Sequence, residues 1–302
     1  MAFRIGVDGG GTKTECVLVD AGGVVLARHT APGCSPSHAG PEKARAILGE
    51  ALRDLLSQGP RGPVEQTLLC MAGNPAFWRE TASSLQGFGR VETAADHLPV
   101  LELATGGGPG LVLHAGTGSF VAARGPDGKV HYAGGLGWRF GDPASGYELG
   151  RRGAARALLE LQGWAKRTAL AEALAAHTGV PDYTTNSRIL NTHAEANSKI
   201  ASFAPRLVEL AESGCEPARQ VLLDSIGGLA AIADSVLARV FSKGSPPLPC
   251  GVSGILLTRP AVFALVAEEA AARAWPVILE PVIEPPIEGV LRLLLKPPGS
   301  PL

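Results

Sequence analysis

The sequence predicts an α/β protein made of two related domains, and three observations carry that prediction. Short apolar runs of strand character interleave with long Ala- and Leu-rich helical stretches along the chain. An apolar strand ending in a glycine-rich bend occurs twice, at Ile5–Thr14 and again around residues 111–119. The 302 residues, 45% of them hydrophobic, are long for one core and sufficient for two.

Phe3–Val7 reads as a buried strand, and TECVLVD alternates as a second. DAGG (Asp20–Gly23) has the composition of a hairpin turn and leads to a third strand, VVLARHT. PEKARAILGEALRDLL opens with Pro41 and places Ala44, Ile47, Leu48, Ala51, Leu52, Leu55 and Leu56 on one face of an amphipathic helix. VEQTLLCMAG and GRVETAAD are further strands of the same sheet. GLVLHAGTGSFVAARGPDGKVHYAGG then repeats the opening plan: strand, bend, strand, a Pro126-Asp127-Gly128 turn, strand. The two copies share pattern rather than letters, as expected of a repeated supersecondary unit.

From Tyr147 the chain is mostly helical, over 150–179, 199–214 and 216–244, the last stretch expected to relax at Gly227-Gly228. A strand in PLPCGVSGILL, a helix opening with Pro260, a strand in WPVILEPV and a short helix near 289–296 complete the pattern. The tail KPPGSPL is expected to fray.

Composition narrows the function. A net charge of −1 supplies no basic field for nucleic acid or an anionic membrane. The N-terminus lacks the apolar stretch of a signal peptide, and no run approaches the roughly 20 apolar residues of a spanning helix. Cys16, Cys34, Cys70, Cys215 and Cys250 are odd in number, scattered and without a C-x-x-C pair. That pattern fits reduced thiols in a cytoplasmic protein, read as small buried hydrophobes; a cluster shared between subunits is the alternative.

The bend Gly9-Gly10-Gly11-Thr12 is either a structural turn or a phosphate cradle, since glycines let an anion approach consecutive backbone N–H groups. Thr12 and Thr14 would add hydroxyl donors and Lys13 a charge. The bend leads into a strand, which excludes both the P-loop and the dinucleotide fingerprint. Asp8 closes the first strand, where it would hold a hydrated Mg²⁺ or cap the glycine turn. Asp96 reads from its local pattern as a helix N-cap, with Pro99 in the first turn.

GVDGGGTKT (Gly6–Thr14), AGTGSF (Ala115–Phe120) and GGLGWRFGDPASGYELG (Gly134–Gly150), in this order and spacing, resemble the acetate kinase, sugar kinase, heat-shock-protein and actin ATPase superfamily. More narrowly they are similar to its N-acetylglucosamine kinase branch, grouped with the BadF/BadG/BcrA/BcrD ATPases. The resemblance implies two ribonuclease-H-like domains around a nucleotide cleft, 1–105 and 106–286, with a C-terminal helix at about 287–302 packing back on the first. It implies ATP with Mg²⁺ as cofactors and phosphoryl transfer to a sugar hydroxyl, first guess N-acetylglucosamine. Gly116, Thr117, Gly118 and Ser119 would join the first bend in binding phosphate, and Gly254 in GVSGIL would border the adenosine. Asp96 would be the base, and Gly135 and Asp142 would lie on the sugar side, Asp142 otherwise reading as a turn residue before proline. Homodimers are common in that family, but no stretch identifies an interface.

Three departures fall on the sugar side. Leu136 stands where the family carries tryptophan, Pro143-Ala144 where it carries Glu-Gly, and Ser35-Pro36 where it tends to carry asparagine. Trp138 either fills the missing aromatic surface or is a core residue. The loss of polar contacts should weaken or redirect sugar recognition while ATP chemistry is retained. Alternatives are an ATPase that activates a 2-hydroxyacyl-CoA dehydratase or benzoyl-CoA reductase, which would need cysteines held for a cluster, and a catalytically weak nucleotide- and sugar-binding sensor.

Overall fold

The structure is a computed structural model that describes residues 2–297 except Ala194, Lys243 and Ser245, and all but the side chain of His38. The end of the expected frayed tail, 298–302, lies outside the described residues. The chain divides into two compact units, Met1–Gly107 with Glu284–Leu302, and Gly108–Ile283.

In the first unit, β1 (Phe3–Gly9), β2 (Lys13–Asp20) and β3 (Val25–Pro32) form an antiparallel meander. After α1 (Pro36–Ala39) and α2 (Pro41–Gln58), β4 (Val64–Met71) pairs parallel with β1. Helix α3 (Pro75–Ser84) crosses to β5 (Arg90–Ala95), which lies parallel to β4, and α4 (His97–Thr105) follows. The sheet order is β3-β2-β1-β4-β5. The α2 face read from the sequence is buried at Ala44, Leu48, Ala51, Leu52 and Leu55, against Ile5, Val7, Leu18 and Leu69 of the sheet. Complete burial of such a leucine contributes about 1.5–3 kcal/mol, so this face fixes α2 on the sheet.

The second unit repeats the plan. β6 (Gly110–Ala115), β7 (Ser119–Arg124) and β8 (Val130–Gly134) form a meander. Five helices follow: α5 (Gly146–Leu161), α6 (Ala169–Thr178), α7 (Tyr183–Thr192), α8 (Ala196–Ala201) and α9 (Ala204–Glu212). The 25-residue α10 (Glu216–Val240) leads to β9 (Leu248–Ser253), α11 (Pro260–Ala272) and β10 (Val277–Val282). β9 is parallel to β6 and to β10, giving the order β8-β7-β6-β9-β10, the same topology as the first sheet. The last helix, α12 (Pro286–Leu294), belongs to the first unit. It packs on α4 so closely that a Cβ on Gly289 would stand 2.1 Å from the Pro99 carbonyl oxygen.

Several local expectations need correction. The helical stretch 150–179 is two helices, because Gly163 adopts φ +86° and Thr168 caps α6 by accepting the Leu170 N–H. The stretch 199–214 is likewise divided between α8 and α9. No element was expected at 75–84 or 183–192, where α3 and α7 form; the start signal of α3, Asn74 accepting from the Ala76 N–H with Pro75 next, is visible in the letters.

Helix α10 runs unbroken through Gly227-Gly228 and is long and apolar enough, by length and composition, to cross a membrane, contrary to the expectation of no such run. Its apolarity is used inside the unit, where Leu222, Ile226, Leu229, Ala233 and Leu237 are buried. A Cβ on Gly228 would lie 3.1 Å from Pro143 Cβ, whereas one on Gly227 would meet nothing within 4 Å. The two glycines therefore differ in purpose. Gly227→Ala should raise stability by about 0.5–1 kcal/mol by removing backbone entropy from the unfolded chain, and Gly228→Ala should gain less because Pro143 must shift. Urea denaturation of both variants checks the order.

Candidate active site

In the first unit, β1 and β2 remain paired up to Gly9 opposite Thr14, and the Gly10 N–H closes the bend on the Lys13 carbonyl at 3.0 Å. The Gly9, Gly10 and Thr12 carbonyls accept from the N–H groups of Ala72, Cys34 and Gly33 at 2.8, 3.2 and 3.1 Å. A Cβ on Gly33 would stand 2.2 Å from the Gly11 oxygen, so the bend is packed backbone to backbone. Two expectations change. The first N–H of the cradle is taken by the turn, and Thr14, fully buried in β2, donates its hydroxyl to the Pro32 carbonyl at 2.9 Å. Lys13 is half-exposed and pairs with Glu15 at 2.7 Å.

Asp8 is buried at the end of β1, opposite Glu15 and beside Cys70 of β4. Burial first, then the charges of Glu15 and Asp96, push its carboxyl up to about 7 despite the opposing pull of Lys13. Asp8, Glu15 and Asp96 are thus brought within electrostatic reach of one another. Asp96 stands at the N-cap position of α4, yet its side chain makes no capping hydrogen bond. Burial raises its carboxyl as well, opposed by the N–H groups of Asp96 and His97. Ser35 is buried with its hydroxyl on that of Ser37, and Pro36 opens α1.

Cys16, Cys34, Cys70 and Cys250 are buried free thiols, and burial pushes Cys16 and Cys250 up to about 12. Among the described residues no group of three or more His, Cys, Asp or Glu side chains is set to hold a metal ion.

The second bend is closed in the same manner. Ala115 opposes Ser119, and the Gly116 N–H donates to the Gly118 carbonyl at 2.8 Å. Gly146 N–H donates to the Gly116 carbonyl at 3.0 Å and Gly135 N–H to the Ser119 carbonyl at 2.8 Å. Thr117 is exposed at the tip. Ser119 is 1% exposed, and its hydroxyl has no hydrogen-bond partner among the described residues. Such an orphaned group is a cost unless a ligand satisfies it.

Asp142 lies against this bend: a Cβ on Gly118 would stand 3.0 Å from its Oδ2. Its Oδ1 accepts the Gly137 N–H at 3.1 Å, and burial raises its carboxyl while the Gly137 and Leu136 N–H groups oppose that rise. Gly254, at φ +106°, abuts the end of β6, where a Cβ would meet the Ala115 oxygen at 1.9 Å. The second unit thus gathers Gly116–Ser119, Gly135, Asp142 and Gly254. Leu136 is exposed, and Trp138 is a half-exposed ring edge-on to Tyr147 with Arg139 over its face, hence not a core residue.

Two features escaped the sequence reading. His114, just before the second bend, meets Ser253 Oγ through Nδ1 at 3.2 Å and stacks on Phe120 at 4.8 Å. Burial lowers it to about 4, so it is neutral near pH 7. Its signal was the histidine in VLHAG, on the strand face opposite Leu113. The other feature is Glu148, whose carboxylate accepts from the Ala144 N–H at 3.2 Å and from the Ser225 hydroxyl, and pairs with Arg152. Ala144 has φ +65°, a left-handed conformation that costs an L-residue about 1–2 kcal/mol.

The model of the BadF/BadG/BcrA/BcrD ATPase family matches residues 5–281. The chain is 24% identical over 291 residues to the N-acetyl-D-glucosamine kinase of Dictyostelium discoideum, covering 90% of this chain and 91% of that protein. It is 26% identical over 181 residues to an N-acetylmuramic acid/N-acetylglucosamine kinase of Clostridium acetobutylicum, covering 56% of this chain and 58% of that one. The crystal structure of a candidate N-acetylglucosamine kinase from Chromobacterium violaceum superposes with a TM-score of 0.79 at 27% identity, over 98% of this chain and 99% of that one.

Asp8 generates a pH prediction for the protein without ligands or divalent cations. Its folded carboxyl titrates at about 7 against an ordinary value of 3.8, so the folded state holds a proton that the unfolded state has released. Stability should therefore fall as pH rises from about 4 through 7, by at most about 4 kcal/mol. Asp8→Asn should remove most of that slope and be the more stable protein at pH 8. Thermal unfolding of both proteins from pH 4 to 8 checks the sign; equal slopes would place Asp8 in a more solvated setting.

Proposed function

Since the chain belongs to the BadF/BadG/BcrA/BcrD ATPase family, we propose that it is an ATP-dependent sugar kinase that phosphorylates a hydroxyl of a hexosamine, with N-acetylglucosamine the first acceptor to test. The observation that carries the reading is Asp96: a half-buried carboxylate that stands at a helix N-cap without capping it, touched by the N–H groups of Asp96 and His97, and assigned here as the base. In the reaction the acceptor oxygen bonds to the γ-phosphorus as the bond from that phosphorus to the β–γ bridging oxygen breaks. The hydroxyl proton passes to an Asp96 carboxylate oxygen, and ADP leaves.

The second bend fits a phosphate group. Ser119 offers a buried hydroxyl that lacks a partner among the described residues, and glycine at 118 adds no side chain of its own to the bend beside Asp142. The first bend, Gly9–Lys13, is assigned the same task, with Gly10 setting its shape rather than donating. Gly254 would border the adenosine, and Gly135 and Asp142 would lie on the acceptor side. Asp8 fits a hydrated Mg²⁺ that takes one or two carboxylates and keeps its waters. When bound with ATP, that ion supplies neutralisation of phosphate charge. Four buried reduced thiols accord with a cytoplasmic setting and give the cluster-holding activator alternative no support.

Asp96→Asn should lower turnover about 10²- to 10⁴-fold while leaving the ATP dissociation constant nearly unchanged. Coupled ADP release with Mg-ATP across hexoses, hexosamines and N-acetylhexosamines, alongside ATP binding by calorimetry, checks it. Retention of most turnover by the variant would assign the base elsewhere.

A further inference from the structure

The bend from Asp142 to Ser145 is held from two helices. On α10, Gly228 receives Pro143, and Ser225, one helical turn earlier, directs its hydroxyl to Glu148 Oε2. On α5, the Ser145 hydroxyl accepts the Glu148 N–H at 3.2 Å as an N-cap. The Glu148 carboxylate then reaches back past that cap to the Ala144 N–H. Ala144 is fully buried and is one of two non-glycine residues with positive φ among the described residues. It stands where the resembled motif has a glycine, which adopts such a φ freely. Strained backbone persists only where its surroundings over-determine it. Here a buried carboxylate holds the N–H of the strained residue itself.

From this geometry we propose that Glu148 is a positioning residue for the acceptor side of the site: it holds Ala144 in the left-handed conformation, and the bend so fixed aims Asp142. The link to Asp142 is direct. Its carbonyl accepts the Ser145 N–H at 3.0 Å, and its side chain accepts the Gly137 N–H beside the second bend. If Ala144 relaxes to negative φ, the peptide on either side of it turns and the Asp142 backbone turns with it. A buried carboxylate is also a poor choice for stability alone, since an apolar residue of similar volume packs without the desolvation cost. This role rests on the kinase reading for its effect on catalysis, but the geometry it asserts does not.

The test compares Glu148→Leu, Glu148→Gln and Glu148→Asp, with and without Ala144→Gly. Kinetics with the best acceptor are paired with hydrogen exchange at the Gly137 and Ser145 amides. Glu148→Leu should raise the acceptor KM by about tenfold or more with the ATP KM nearly unchanged, and should speed exchange at both amides. Glu148→Gln, whose amide oxygen can accept both bonds, should stay near the wild type. Adding Ala144→Gly should recover much of the loss, because glycine takes the left-handed conformation without being held there.

Should Glu148→Leu not fold, Glu148→Asp, with a carboxylate one methylene too short to reach Ala144, must give the same pattern in milder form. Equal rises in both KM values, unchanged exchange, or no recovery by Ala144→Gly would overturn the proposal. If the wild type phosphorylates no amino sugar, the kinase reading fails separately. The exchange data then decide: faster exchange in Glu148→Leu, reversed by Ala144→Gly, supports the positioning role, and unchanged exchange rejects it.

Discussion

Close approach of backbone to backbone at the ends of the central strands is the constraint on which this molecule depends. At Gly33 and Gly254 the space a Cβ would need is already filled by backbone, at 2.2 Å by Gly11 and 1.9 Å by Ala115, and at Gly9 it is filled by the end of the Met71 side chain at 2.4 Å. Each central strand can therefore end in a glycine bend gripped by its neighbours, with its carbonyls engaged. The two bends are closed alike, by the first N–H bonding across to a carbonyl, although their sequences share little. What the repeat conserves is the sheet order and this closure.

Around that frame the protein accumulates carboxylates that are costly to bury. Asp8 and Asp96 in the first unit and Asp142 in the second all have their carboxyls raised by burial. Each is tolerated because N–H groups or a neighbouring cation partly compensate it, and each is prepared to gain from a bound cation or a donated proton. The orphaned Ser119 hydroxyl is the complementary case, a donor awaiting an acceptor. Unmet polarity of this kind reduces the stability of the free protein and returns as affinity when a ligand satisfies it.

Much of this was legible in the letters. The period of apolar residues gave the strands and the face of α2, and the second glycine bend gave the repeat. Three physical facts were not. Gly227 and Gly228 look alike in sequence, and only the position of Pro143 separates them. The donor count of the first bend depended on which N–H and hydroxyl groups the turn consumes, which falls to Gly10 and Thr14. Glu148 reads as an ordinary helix residue until the fold brings Ser225 to it from 77 residues away. Apart from the Gly10 turn bond, which is local, each of these is a tertiary contact, and none has a periodic signal.

The measurement that bears most directly on the central claim is ³¹P NMR of a mixture of the protein, Mg-ATP and N-acetylglucosamine or a related amino sugar. A phosphomonoester resonance coupled to sugar protons, growing in step with ADP, is the predicted result, and its coupling identifies the acceptor hydroxyl. Release of inorganic phosphate alone, or ATP that binds and stays intact across the sugars tried, would contradict phosphoryl transfer to a sugar.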